Sequence, residues 1–165
     1  MRLLAVIVAA YALAGAPAAI ADDGAIGASG LKLPRFVTLG SDEVNLRTGP
    51  GTRYPKSWVF RRAGLPVMIT AEHEYWRKVR DVDGAEGWVH RSLLSGRRGG
   101  LVVGDIATLR AAPDAGAAPV LRAEAGVVGR LQSCRVAWCE IEIAGRQGWL
   151  PRDAIFGVLP GEVFE

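Results

Sequence analysis

Cysteine and histidine are scarce in this chain of 165 residues, with only two of each. His73 and His90 do not stand three or four positions from another ligand type in a recognisable metal motif, so no metal site is expected. Cys134 and Cys139 are separated by four residues, without a second pair or a Cys-x-x-Cys, which argues against zinc or thiol redox chemistry. A cysteine peptidase needs a histidine base beside its thiol, and both histidines lie far from the cysteines along the chain. Gly49-Pro50-Gly51 lacks the lysine and the following helix that a phosphate-binding loop requires. The expectation is a protein that is not an enzyme and carries neither metal nor cofactor.

The amino terminus has the order of a secretory signal. Arg2 precedes an apolar run from Leu3 to Ala14, then come Gly15, Pro17 and Ala19-Ile20-Ala21 before Asp22-Asp23. The charge orients the segment, the apolar run enters the export channel, and small side chains at Ala19 and Ala21 suit a signal peptidase. Residues 1–21 are therefore read as a signal peptide cleaved after Ala21, making the protein periplasmic or secreted. Gly15, Pro17 and the abundant alanine make a poor membrane span, so no stable span is expected after cleavage. No cysteine follows Ala21 to carry a lipid. The net charge is +3 and the pI about 9.2, but the basic residues are dispersed and the product is exported, so nucleic acid is not an expected partner. Arg61-Arg62, Arg77-Lys78-Arg80 and Arg97-Arg98 read as solvated faces or edge-strand guards, with a weak attraction to anionic envelope polymers.

An internal repeat decides the domain count. Val44-Asn45-Leu46-Arg47-Thr48-Gly49-Pro50 returns as Ala107-Thr108-Leu109-Arg110-Ala111-Ala112-Pro113. Trp76 returns as Trp138, and Gly87-Trp88-Val89 as Gly148-Trp149-Leu150. A unit of about 62 residues is thus present twice. Residues 22–35, rich in Gly and Ala, read as a disordered leader. The repeats occupy 36–97 and 98–160, with 161–165 as a tail. Ser95-Gly96-Arg97-Arg98-Gly99-Gly100 has the composition of a flexible connection. Within each unit, short extended runs alternate with turn residues and no helical period occurs. Pro66 to His73 alternates Val67, Ile69 and Ala71 on one face with Met68 and Thr70 on the other, and Asp83-Gly84 marks a hairpin. Five or six strands in about 60 residues predict an all-β small barrel or compact sandwich.

Three motifs carry a family resemblance: Arg47-Thr48-Gly49-Pro50-Gly51-Thr52 with Tyr54-Pro55, then Trp76-Arg77-Lys78-Val79, then Asp83-Gly84 with Gly87-Trp88-Val89 and Leu93-Leu94. Together they resemble the bacterial SH3 domain, and the repeat makes the chain similar to two-barrel exported proteins of alpha-proteobacteria. The resemblance implies two tandem SH3-like small β-barrels behind the signal peptide, and a binding or targeting role. The second unit departs from the pattern at Ala111-Ala112-Pro113-Asp114, which lacks the loop glycines and the tyrosine.

In an oxidising compartment Cys134 and Cys139 read as a disulfide, placed on the hairpin that matches His73 to Trp76 and adding about 2 kcal/mol of local stapling. The repeated tryptophans (Trp76/Trp138, Trp88/Trp149) read as core fillers. Trp58 has no counterpart in the second repeat and joins Tyr54 and Tyr75 near loops. Aromatics beside arginine are the composition of recognition surfaces, so a ligand groove is expected in repeat one, lined by Arg47, Tyr54, Trp58, Tyr75 and Trp76. The expected partner is peptidoglycan or a cell-wall-associated envelope protein. The alternative is an assembly factor that recruits a protein through a barrel edge or loop surface.

Overall fold

A computed structural model describes residues 24–165. The expected signal peptide and its expected cleavage point after Ala21 lie outside the described residues. Among the described residues no helix is long and apolar enough to cross a membrane.

The first repeat folds as β1 (Arg35–Leu39), β2 (Val44–Arg47), β3 (Lys56–Phe60), β4 (Pro66–His73), β5 (Trp76–Arg80) and β6 (Glu86–His90), a single 3-10 turn Arg91–Leu93, and β7 (Leu94–Ser95). The second repeats this order as β8 (Gly99–Val102), β9 (Ala107–Arg110), β10 (Pro119–Ala123), β11 (Val128–Cys134), β12 (Trp138–Ile143), β13 (Arg146–Pro151), a 3-10 turn Arg152–Ala154, and β14 (Ile155–Phe156). Each unit is one antiparallel sheet of seven strands. Their orders, β3-β2-β6-β5-β4-β1-β7 and β10-β9-β13-β12-β11-β8-β14, correspond strand for strand. The expected all-β pair of SH3-like barrels is what the chain forms.

Period-two alternation fills each barrel with aliphatic side chains. Barrel one closes on Leu39, Val44, Leu46, Phe60, Val67, Ile69, Val79 and Val89. Barrel two closes on Val102, Leu109, Leu131, Ile141, Ile143, Leu150 and Ile155. The repeated tryptophans do not fill these cores: Trp76, Trp88, Trp138 and Trp149 are all half-buried. The reason is the alternation itself. In Gly87-Trp88-Val89 the flanking residues are buried, so the indole points to the other face. A β-carbon at Gly87 would come within 2.5 Å of the Leu46 side chain and 2.8 Å of the Arg47 carbonyl oxygen. The glycine is there to let the core strands approach.

The leader, expected to be disordered, the connection, expected to be flexible, and the tail are built into the fold. The leader makes a tight reversal, with Gly27 N–H donating to Leu31 O and Leu33 N–H to Ala25 O. Leu33 packs on the barrel-one core. Ser29 bonds Glu72 through both its amide (2.7 Å) and its hydroxyl (2.8 Å). The tail exchanges two backbone hydrogen bonds between Phe164 and Cys134, and Phe164 packs on the barrel-two core. The Gly/Arg-rich connection shrinks to residues 96–98, because Gly99 and Gly100 are buried in β8. Arg98 is tied to Glu162 (2.6 Å) and the Gly157 carbonyl (3.1 Å). Composition reports how little apolar surface such segments own; it is blind to the partners that distant strands supply.

The barrels pack against each other. Phe36 and Phe156 meet edge to face at 5.0 Å, and Arg62 donates to the Gly126 carbonyl (3.0 Å). Thr38 Oγ1 donates to the Arg97 carbonyl of the connection (3.2 Å).

Candidate functional site

The loop after β2 explains its own motif. The Tyr54 ring lies against Gly49 and Gly51, where a β-carbon on Gly49 would sit 2.4 Å from it. Arg47 turns back to donate to the Thr52 (3.0 Å) and Tyr54 (2.7 Å) carbonyls. In barrel two Arg110 does the same to Ala117 (3.0 Å). The Leu-Arg-x-x-Pro repeat is therefore a loop staple in both units, and Arg47 and Tyr54 shape the loop from inside.

Beside this loop runs a row across three strands. His73 of β4 is opposite Trp76 of β5, and Trp76 is opposite His90 of β6. Directly opposed side chains on an antiparallel sheet share a face and touch. The Trp76 and His90 rings meet edge to face at 5.4 Å, Tyr75 and His90 lie 6.1 Å apart, and His73 approaches Trp88 at 6.4 Å. Arg91 sits over the Tyr75 ring at 4.9 Å. The turn that lifts Tyr75 out has Glu74 at φ 48°, a region that favours glycine. Tyr75 is 56% exposed as a result. With Pro50 to Arg53 on the other bank, His73, Glu74, Trp76 and His90 enclose a groove of about 510 Å³.

The structure thus brings Tyr75 and Trp76 together, with Arg47 and Tyr54 supporting the adjoining loop. Trp58 does not join them: it lines a separate cavity with Phe60, Leu65 and Val82. The histidines and Arg53 were not foreseen as members of the groove. The hairpin register of β4 and β5 was the signal available, because it sets His73 opposite Trp76.

Behind the groove lies an ionic network. Glu72 is 1% exposed at its side chain and pairs with Arg35 (2.6 Å) and Arg77 (3.2 Å). Burial pushes its carboxyl up, but hydrogen bonds from Arg35 and Ser29 and the Arg35 charge overcome this and hold it at about 2. Glu72 faces Arg77 in register just as Cys134 faces Cys139, and those cysteines form the disulfide. One barrel has an ion pair where the other has a covalent bond.

Barrel two rebuilds the face differently. Pro151 replaces His90 opposite Trp138, and Arg135 stacks on Trp149 at 5.0 Å. Trp138 and Pro151 wall two cavities, one with Ile106 and Ala107 and one with Arg152 and Val158. Among the described residues no cluster of three or more His, Cys, Asp or Glu side chains is placed to hold a metal ion.

The solved structures that resemble the chain include NlpC2 from Trichomonas vaginalis, at 15% identity over 74% of this chain and 48% of that one, with a TM-score of 0.35. An NlpC/P60 family protein from Bacillus cereus ATCC 10987 resembles it at 13% identity over 73% and 55%, with a TM-score of 0.34. The chain spans about half the length of these structures. No curated protein matches it. A family model described as "Bacterial SH3 domain" matches residues 40–96 and again 103–157, the two stretches that fold as corresponding sheets, and the chain accordingly belongs to the bacterial SH3 domain family.

Proposed function

We propose that this protein is an exported, non-catalytic binding module of the cell envelope that holds peptidoglycan or a cell-wall-associated protein in the barrel-one groove. The observation that carries this reading is the His73–Trp76–His90 row with Tyr75 projecting from it. Aromatic faces give a ligand a flat apolar platform, and the ring nitrogens, Glu74 and the Arg53 and Arg91 guanidinium groups supply polar partners around it. The test is sedimentation of the protein with purified peptidoglycan at low and high salt, beside Tyr75→Ala. Salt-resistant sedimentation that Tyr75→Ala abolishes supports the reading. Absence of sedimentation at either salt removes the wall and leaves a protein ligand. Clearing of a peptidoglycan gel by the pure protein would overturn the non-catalytic part.

A second reading has its own observation. Trp58 is 61% exposed on β3, an end strand that among the described residues pairs only with β2. Exposed indole on an open sheet edge suits an assembly factor that recruits a protein partner by strand addition. Crosslinking from β3 in the envelope tests it.

A further inference from the structure

Trp58 is directly opposite Leu46 in register, a residue of the buried face. Its indole therefore belongs to the inner side of the sheet, at the point where that side emerges at the edge. There Trp58, Phe60 and Val82, with Leu101 of barrel two, line a cavity of about 200 Å³. Asp81 and Asp83 stand at the same cavity. Asp81 Oδ1 accepts from the Asp83 and Ala85 amides and so holds the hairpin turn. Among the described residues, neither carboxylate forms an ion pair.

These features select an occupant. The volume is below the roughly 300–1,000 Å³ of small-molecule sites and suits one amino-acid side chain. Apolar walls with an indole face ask for an alkyl stem and welcome a cation, and the unpaired carboxylates ask for positive charge. The open edge of β3 offers backbone partners to an extended chain. Barrel two differs at the matching places: Leu121, opposite Leu109, takes the position of Trp58, and the acidic turn is replaced by Ala144-Gly145.

We infer that this cavity receives a lysine side chain from an extended segment of a protein partner, with the stem against Trp58 and Phe60 and the ammonium at Asp81 and Asp83. The inference rests on the second reading above and gives its partner a chemistry. Leu101 makes the site depend on both barrels, so an isolated first repeat would hold the lysine less well.

The test is an NMR titration of the purified chain with acetyl-Thr-Lys-Thr-amide, following the Trp58 indole N–H and the amides of the turn from Asp81 to Gly84. The norleucine peptide, which keeps the stem and loses the ammonium, is the comparison. The lysine peptide is expected to shift these signals and to bind about tenfold more tightly than the norleucine peptide. Asp83→Asn should remove most of that difference, Trp58→Leu should weaken both peptides, and Tyr75→Ala should change neither. Asp83 is preferred to Asp81 because it does not hold the turn. Equal binding of the two peptides overturns the lysine assignment and leaves edge docking standing. Absence of shifts with either peptide overturns both. Loss of the shifts in Tyr75→Ala places the peptide in the groove and overturns the assignment.

Discussion

Glu72 shows how a single position sets local stability. Its carboxyl is held at about 2, below the ordinary value of 4.5, so the contribution is complete above the ordinary value and disappears as pH falls toward 2. The full shift corresponds to on the order of 3 kcal/mol. Protonation should release the strap that Ser29 and Arg35 anchor. Amide protection at Ser29 and Leu33 should fall between pH 4.5 and 2, and Glu72→Gln should show low protection at every pH. Gly87 makes a second residue-scale case. Gly87→Ala drives a methyl group into Leu46 and the Arg47 carbonyl, and should cost about 1–3 kcal/mol in urea unfolding. The glycine was visible in the repeat, but its reason was not: sequence shows that Gly-Trp recurs, whereas only the packed sheet shows the Leu46 side chain against Gly87.

At the scale of elements, the two β-hairpins after β4 and β11 solve one problem in two ways. Both need a closed strand end; barrel one uses Glu72 with Arg77 and a strap from the leader, and barrel two uses the disulfide and Phe164. Cys134→Ala with Cys139→Ala should cost about 2 kcal/mol by thermal or chemical unfolding, because the closed loop is short. It should also raise exchange at the Phe164 amide, which bonds Cys134. Unchanged protection at Phe164 would mean that the tail docks independently of the disulfide. The pairing of these cysteines was legible from the hairpin spacing. The capping segments were not, since the donors of the leader reach Glu72 from more than forty residues away.

The whole molecule is two barrels with a packed junction. Phe36 of β1 and Phe156 of β14 are its aromatic contact, worth about 0.5–1.5 kcal/mol beyond area burial. Phe156→Ala should therefore weaken the coupling between barrels, and calorimetry should resolve two transitions where the native chain shows a more cooperative one. A single unchanged transition would show that the junction holds without the ring contact, with the hydrogen bond from Arg62 to Gly126 remaining. The junction bears on the proposed lysine site, because Leu101 from barrel two lines the Trp58 cavity.

Much was decided by sequence alone: two units of short strands follow from a repeated pattern of alternating apolar residues and turn residues, and the disulfide from the one cysteine pair, all local properties of the chain. Tertiary structure decided where the aromatics went. It turned the repeated indoles outward, drew the two histidines beside Trp76, sent Trp58 to another cavity and fastened the leader, linker and tail. Those outcomes depend on strand register and on which face of a sheet meets which neighbour, and a shift of one residue would have reversed each of them.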